Sequence, residues 1–282
     1  MSPNRSAWAV VTGASSGIGA ALAEELARRG HRLMLVARRV DRLAELATGL
    51  KERYQAEVDI AAYDLADRDQ RALLCADLRE REVEILCNNA GFPVCGPVAG
   101  TDPAALAAEL EVNVVAVQEL TLSVLPAMVA RGSGALLFTG STAGMQPVPT
   151  GAVYAAGKAF VNSFAEALHV ELRGTGVSCT LLAPGPVRTE FYRVGGIADT
   201  ERHRWFAWQR PLRVARNALD GLERGRRVVV PGTVAKAQAF GGRYTPRTLL
   251  FPALRTVVLP RLRAPGRRPG AALTATGASR QE

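Results

Sequence analysis

The sequence has few cysteines, and their positions exclude the common kinds of zinc site. Among 282 residues there are four, at Cys75, Cys87, Cys95 and Cys179. None forms a C-x-x-C pair or stands at a histidine spacing suited to zinc, so we expect no bound metal. Cys87 and Cys179 lie inside apolar runs, which predicts small buried hydrophobic side chains.

Targeting and membrane signals are also lacking in the sequence. Residues 1–7 contain one arginine and no apolar stretch resembling a signal peptide. No run approaches the roughly 18 apolar residues that would suggest a membrane span. Together with the cysteine pattern, these absences predict a protein of the reducing cytoplasm.

Acidic residues become scarce in the last third of the chain. Lys and Arg number 18 against 21 Asp and Glu through Ala198, but 17 against 5 from Asp199 onward, so balances near −3 and +12 make up the net +9. Such a basic segment can bind nucleic acid or anionic lipid. It contains no nucleic-acid motif, so we expect no nucleic-acid partner and interpret the charge as a solvated surface, with contact to a membrane surface as an alternative.

Apolar runs alternate with helical patterns along the chain. Strands are predicted at 8–12, 32–37, 57–62, 83–87, 135–139, 177–183 and 227–230. Helices are predicted at 20–29, 41–54, 67–81, 103–131, from about 151 to 173, and at 212–224, 233–240 and 247–262. The strands are apolar without a period of two, which is typical of a parallel sheet covered by helices on both faces. The predicted fold is therefore α/β, with a doubly wound parallel sheet.

A glycine-rich turn follows the first strand. Residues 12–19 read Thr-Gly-Ala-Ser-Ser-Gly-Ile-Gly, and Gly30 closes the helix that comes next. Glycines let a backbone approach a ligand closely, and a helix N-terminus offers unpaired N–H groups to phosphate. The G-x-x-x-G-x-G spacing differs from the common dinucleotide fingerprint, and a glycine loop without a cofactor is the alternative. Its place between a buried strand and a helix favours dinucleotide binding.

Two arginines, Arg38 and Arg39, end the second predicted strand. In dinucleotide-binding folds this strand end meets the adenosine ribose, where a carboxylate suits a 2′-hydroxyl and arginine suits a 2′-phosphate. The first carboxylate comes only at Asp41, so the sequence predicts a preference for NADP(H). Alternatively, Arg39 pairs with acidic residues of the following helix.

Tyr154 and Lys158 stand four residues apart on a predicted helix, so their side chains should be neighbours on one face. A cation near a phenol favours the phenolate and lowers the pKa of the tyrosine from its ordinary value near ~10. Such a tyrosine can give a proton to a carbonyl oxygen or take one from an alcohol. An exposed pair that meets by chance is the alternative, because the motif is short.

Taken together, the motifs resemble those of the short-chain dehydrogenase/reductase family over residues 7–231. They are residues 12–19, Asn-Asn-Ala-Gly at 88–91, Asn113, Ser141, Tyr154 with Lys158, and Pro184-Gly185, in the family's order. Ser141 lies 13 residues before Tyr154, a separation typical of the family. Two positions depart from its pattern: Gly157 replaces a usual Ser or Thr, and Gly140 replaces a common Ser.

The resemblance implies a catalytic tetrad of Asn113, Ser141, Tyr154 and Lys158. Tyr154 would be the general acid in reduction, and Ser141 would hydrogen-bond the carbonyl oxygen. Lys158 would lower the pKa of Tyr154 and bind the nicotinamide ribose, while Asn113 would position a water that links Lys158 to solvent. The implied cofactor contacts are Gly13, Ser15, Ser16, Gly17, Ile18, Gly19, Arg38, Arg39, Asp64, Leu65, Asn89, Ala90, Gly91, Tyr154, Lys158, Pro184, Gly185, Val187 and Thr189.

Two further implied contacts have structural alternatives. Asn88 would back the cofactor, or would only tie strands together. Thr189 would reach the nicotinamide carboxamide, or would only cap a helix.

The implied organisation is one Rossmann-like dinucleotide-binding and catalytic domain at 1–231, a helical extension at 232–263 and a disordered tail at 264–282. A lid at 188–210 would join other loops around an apolar pocket, although its aromatic residues could equally pack as core or at a subunit contact. The candidate pocket residues are Phe191, Tyr192, Trp205, Phe206, Trp208, Phe92, Val94, Met145 and Val148. The extension could cover the pocket, form a dimer contact or touch a membrane, and we favour the first.

The resemblance implies an NADP(H)-dependent oxidoreductase that interconverts a ketone and a secondary alcohol. An apolar substrate is expected, such as a 3-oxoacyl, steroid-like or other lipophilic carbonyl compound. Family members commonly form homodimers or homotetramers through the helix that carries the tyrosine. A non-catalytic NADPH-binding regulatory protein is the alternative, and the complete tetrad favours the enzyme.

Overall fold

Among residues 6–191 and 208–262, which the computed structural model describes, seven strands form one sheet in the order β3-β2-β1-β4-β5-β6-β7. All neighbouring pairs are parallel. The strands are β1 Trp8–Thr12, β2 Arg32–Ala37, β3 Val58–Ala62, β4 Val83–Asn88, β5 Gly134–Thr139, β6 Val177–Leu182 and β7 Val228–Val229. The strand order reverses between β1 and β4, which is where doubly wound sheets bind ligands. The predicted fold class is confirmed.

Helices cover both faces of the sheet, which explains why its strands are apolar without alternation. They are α1 Gly17–Arg28, α2 Val40–Tyr54, α3 Arg68–Glu80, α4 Pro103–Leu110, α5 Ala116–Arg131, α6 Ala152–Glu171, α7 Pro211–Glu223, α8 Thr233–Tyr244 and α9 Arg247–Leu262. One core layer packs α1, α2 and α7 against residues such as Val11. The opposite layer packs α3, α5 and α6 against residues such as Val10.

The single helix predicted at 103–131 is interrupted. A π-helical turn, Glu111–Val115, separates α4 from α5 and contains Asn113. The sequence predicts no membrane span, but by length and hydropathy the stretch Pro103–Arg131 could cross a membrane. Within it, 50% of the most apolar window is buried. A core helix of an α/β sheet has the same composition because it packs against apolar strands.

Helix α8 lies beside α6 and the loop that follows Ser141. Arg243 of α8 pairs with Glu166 of α6 at 3.2 Å. A side chain added at Gly242 would lie 3.1 Å from Gln146 Oε1, so α8 packs closely against the loop that follows Ser141. The predicted tail at 264–282 and the lid residues Tyr192, Trp205 and Phe206 lie outside the described residues.

Candidate active site

Tyr154 and Lys158 lie in the first turns of α6, with the Lys158 Nζ atom 5.9 Å from the centre of the Tyr154 ring. The two side chains are therefore neighbours, as their spacing predicts. Lys158 is 4% exposed and donates a hydrogen bond to the Thr139 carbonyl oxygen at 2.9 Å. Because an ammonium group has three N–H donors, it can serve further acceptors such as ribose hydroxyls.

The charge of Lys158 is poised near neutral pH. Burial lowers the pKa of Lys158 to about 8, and the Glu109 carboxylate acts in the opposite direction. The side chain can therefore change protonation state during a reaction at a modest free-energy cost.

Ser141 is fixed by Asn162, which stands one turn after Lys158 on α6. The Ser141 backbone N–H donates to Asn162 Oδ1 at 3.3 Å, and Asn162 Nδ2 donates to the Ser141 carbonyl oxygen at 3.0 Å. The Ser141 Oγ atom accepts a hydrogen bond from Ala143 N at 3.0 Å. Its hydroxyl proton is thereby left to donate to a substrate oxygen.

The two departures from the family pattern have steric reasons. A Cβ at Gly140 would lie 2.0 Å from Asn162 Oδ1, so Asn162 can reach Ser141 only because residue 140 has no side chain. A Cβ at Gly157 would lie 3.3 Å from Val114 Cγ2, which is a tight contact with the π-helical turn. Glycine at these positions therefore accommodates the neighbours of the site.

The Asn113 side chain is fully buried and is bound on both sides by Phe92. Its Oδ1 atom accepts from Phe92 N at 3.2 Å, and its Nδ2 atom donates to Phe92 O at 2.9 Å. A Cβ at Gly91 would lie 2.6 Å from Asn113 Oδ1 and 3.3 Å from Lys158 Nζ. The backbone of Phe92 therefore fixes the Asn113 side chain on both of its polar atoms, and the role of Asn113 in holding a water stays a prediction.

The glycine-rich turn has the shape that a phosphate group requires. Gly13 and Gly17 have φ of 66° and 59°, and a Cβ at Gly19 would lie 2.3 Å from Gly13 O. Ser16, the N-cap of α1, makes no capping hydrogen bond with its side chain. The Ser16 side chain therefore leaves the first N–H groups of α1 without a cap. Such a helix N-terminus can bind an anion.

Hydrogen bonds tie the glycine-rich turn to the loop after β4. Thr12 Oγ1 accepts from the backbone N–H groups of Asn89 and Ala90, each at 2.9 Å. The Asn89 side chain donates to Thr12 O and accepts from Thr139 Oγ1. Asn89 is therefore engaged in bracing three strand ends. The Asn88 side chain donates to Thr121 on α5 at 3.0 Å, so it ties β4 to a helix rather than to another strand.

The basic end of β2 lies beside the glycine-rich turn. Arg39 donates to Ser15 Oγ at 3.0 and 3.2 Å and pairs with Glu190 at 2.9 Å. Glu190 also pairs with Arg42, and hydrogen bonds from Arg39 and Arg42 lower its pKa to about 2. The Arg38 side chain is 62% exposed and stands 3.5 Å from Asp64. Two guanidinium groups at this point suit the additional phosphate of NADP(H).

The segment after β6 closes the other side of the cleft. Thr142 N donates to Pro184 O at 3.1 Å, and a Cβ at Gly185 would lie 2.9 Å from Ala235 of α8. Thr189 stands against Gly17, whose added Cβ would lie 3.0 Å from Thr189 Cγ2. Thr189 Oγ1 also accepts from Phe191 N at 3.3 Å, and the contact of Thr189 with the nicotinamide carboxamide stays a prediction.

Further predicted contacts stand at the edges of the same cleft. Phe191 places its ring 5.5 Å from that of Tyr154, centre to centre. Leu65 is buried after β3, and Ile18 packs partly buried on the core beneath the turn. Val187 pairs with Gln209 in an isolated parallel bridge.

Sequence reasoning missed several residues that support these groups: Glu109, Asn162, Glu190, and Arg71, whose side chain donates to the Leu65 carbonyl oxygen. Each acts through a partner that is distant in sequence, such as Ser141 for Asn162 at a separation of 21 residues. The helical spacing of four between Lys158 and Asn162 was the one available signal.

Comparison with known proteins gives a consistent result. The family model described as short chain dehydrogenase matches residues 7–194. The very-long-chain 3-oxoacyl-CoA reductase of Homo sapiens is 36% identical over 196 residues, which are 68% of this chain and 63% of the relative. The chain thus spans less than two thirds of the length of the curated relatives it matches first.

Solved structures are similar over more of the chain. A short-chain dehydrogenase from Sphingobium yanoikuyae in complex with NADPH is 32% identical, with a TM-score of 0.77 over 89% of this chain and 97% of that one. The bulky-bulky ketone specific alcohol dehydrogenase from Comamonas testosteroni is 26% identical, with a TM-score of 0.73 over 94% and 98% of the two chains. With its motifs, sheet order and family-model match, this chain belongs to the short-chain dehydrogenase family.

Proposed function

We propose that the protein is an NADP(H)-dependent oxidoreductase that interconverts a ketone and a secondary alcohol. The observation that carries the proposal is the buried Lys158 beside Tyr154, with its Nζ atom 5.9 Å from the ring centre. In reduction, Tyr154 gives its proton to the carbonyl oxygen and Ser141 donates a hydrogen bond to the same oxygen. Lys158 supplies the positive charge that stabilises the developing phenolate. The bound nicotinamide supplies the hydride.

The residues present fit NADP(H). The uncapped start of α1 suits the pyrophosphate, while Arg38 and Arg39 suit the 2′-phosphate. The Sphingobium yanoikuyae and Gluconobacter frateurii neighbours were both solved with NADPH, at 32% and 28% identity. This likeness supports the same cofactor here.

A lipophilic ketone, with a long-chain 3-oxoacyl thioester as the first candidate, is the proposed substrate. The relatives named very-long-chain 3-oxoacyl-CoA reductases support this class, as does the bulky-ketone dehydrogenase among the structural neighbours. The Phe191 ring beside Tyr154, with the partly buried Phe92 and Met145, supplies apolar surface near the reacting group.

Turnover tests the proposal directly. Purified protein is mixed with NADPH and a series of 3-oxoacyl thioesters and bulky ketones, and the absorbance of the reduced cofactor is followed. We expect Tyr154→Phe still to bind NADPH and to lose at least about a hundredfold in kcat. Equal rates in the two proteins would remove Tyr154 from the mechanism. NADPH binding without turnover of any ketone would favour the non-catalytic regulatory protein.

A homodimer or homotetramer in the cytoplasm is the proposed state of the protein. Leu122 and Val129 on α5, with Phe160 and Val170 on α6, are large apolar side chains at the surface, which supports contact with a second copy. Light scattering after gel filtration tests this state, and a monomer at micromolar concentration would contradict it.

Contact with an anionic membrane surface through α8 and α9 is proposed as well. Phe240, Tyr244, Leu249 and Phe251 are exposed there within the basic last third of the chain. Co-sedimentation with anionic but not zwitterionic vesicles is the expected result, and no binding to either would contradict the contact.

A further inference from the structure

Glu109 is a fully buried carboxyl group on α4 that the mechanism above does not use. Its Oε1 atom accepts a hydrogen bond from Val94 N at 3.0 Å. Its Oε2 atom is also buried and has no hydrogen-bond partner among residues 6–191 and 208–262. Burying a carboxylate oxygen without a hydrogen-bond partner costs free energy. The buried group is therefore expected to be protonated or to have a function.

Glu109 contacts the same loop that passes beside Lys158. Asn113 lies one helical turn further on, and it binds the backbone of Phe92 while Glu109 binds that of Val94. The same loop begins at Gly91, where an added Cβ would lie 2.6 Å from Asn113 Oδ1 and 3.3 Å from Lys158 Nζ. Lys158, Asn113 and Glu109 therefore follow one another along this loop. Lys158 Nζ thus lies by the first residue of this loop and the Glu109 carboxyl group by its fourth residue, and each charge shifts the pKa of the other group.

We propose that Glu109 is a positioning residue that stores a proton for Lys158 and returns it after each reduction. The inference rests on the proposed function. When Tyr154 has protonated the substrate oxygen, the proton that restores it is drawn from the Lys158 ammonium. Lys158 then takes a proton from the Glu109 carboxyl, so that an O–H bond breaks, an N–H bond forms and no electrons are transferred. The Glu109 carboxylate recovers its proton from solvent.

The electrostatics of the pair suit such an exchange. Burial raises the pKa of Glu109 to about 7, while the hydrogen bond from Val94 N and the charge of Lys158 oppose the rise. The pKa of Lys158 stands at about 8, so the two groups hold a proton with similar strength. Within the described part of the chain, Cys95 is a further titratable group that feels the Glu109 charge; burial and that charge raise its pKa to about 11, so it stays neutral.

The decisive variant is Glu109→Gln, which keeps an acceptor for Val94 N but holds no exchangeable acidic proton. We expect its kcat for ketone reduction at pH 7 to fall about tenfold, with KM within about twofold. The ionisation near pH 7 in the wild-type kcat profile should be absent from the variant. Glu171→Gln, an exposed change on α6, is the matched control and should keep the wild-type profile. Glu109→Asp retains a titratable carboxyl and should retain the ionisation.

A second readout is independent of turnover. Because the pKa of Glu109 is raised in the folded protein, its contribution to stability is complete below pH ~4.5 and is lost as pH rises to ~7. The unfolding equilibrium constant of the wild type relative to Glu109→Gln should therefore rise up to about a hundredfold between pH 4.5 and pH 8.

The outcomes separate this inference from the proposed function. A wild-type enzyme whose Glu109→Gln variant keeps both kcat and pH profile overturns the proton store and leaves the redox function intact. If Glu109→Gln does not fold, the absence of an ionisation near pH 7 from the wild-type kcat profile overturns it equally. If the wild type reduces no ketone, the proposed function fails first, and the pH dependence of stability still reports whether Glu109 titrates.

Discussion

Replacing Arg71 by methionine tests how the cofactor side of the cleft is held to the catalytic side. Arg71 is 2% exposed on α3, and it donates to the carbonyl oxygens of Leu65 and Ala66 at 2.9 and 3.1 Å. It also pairs with Glu111 at 2.6 Å and with Glu119 at 3.0 Å. One side chain thus connects the loop after β3 to the helical segment that carries Asn113.

The cost of the substitution follows from these contacts. Breaking a buried ion pair costs about 3–5 kcal/mol, and each carbonyl left without a partner costs about 1–3 kcal/mol. Glu111 and Glu119 are each 41% exposed, so water can hydrate them once the arginine is gone. Methionine also restores part of the apolar packing. We therefore expect a loss of about 3 kcal/mol, a large share of the roughly 5–15 kcal/mol typical of a domain.

Urea unfolding followed by circular dichroism measures this loss. With a slope of about 3 kcal/mol per M, the midpoint for Arg71→Met should fall by about 1 M. NADPH affinity should also fall about tenfold, because the Asp64–Leu65 loop loses its support. Arg79→Met is the matched control, since Arg79 is exposed on the same helix. A loss below about 1 kcal/mol for Arg71→Met would refute the reasoning.

Two further substitutions test the cleft. Arg38→Asp should shift the cofactor preference from NADP(H) towards NAD(H), because a carboxylate repels a 2′-phosphate and accepts a hydrogen bond from a 2′-hydroxyl. If the ratio of kcat/KM with NADPH to kcat/KM with NADH is unchanged, Arg38 does not select the cofactor. Gly140→Ala should lower kcat about tenfold or more with the fold intact, because its Cβ would lie 2.0 Å from Asn162 Oδ1 and displace Asn162 from Ser141. Full activity of that variant would mean that Asn162 does not fix the serine.

The sequence by itself determined the layers of the fold and the reacting pair. Continuous apolar runs mark strands that are buried on both faces, and β2 begins at Arg32 and ends at Ala37 as predicted. The meeting of Tyr154 and Lys158 is a property of one helix, since residues four apart share a face wherever that helix packs. The special backbone at residues 13 and 17 could be predicted because a positive φ favours glycine over other residue types.

Only the tertiary structure decided which polar residues surround that pair. Glu109 could have been an exposed helical glutamate, and its burial depends on how α4 packs against α6 and on the loop at Val94. Asn162 and Arg71 likewise matter because they hydrogen-bond to Ser141 and Leu65, and these partners lie on other elements of the fold. Burial, and with it the shift in a pKa, is set by contacts between residues far apart in the chain. No local pattern of residue types contains that information.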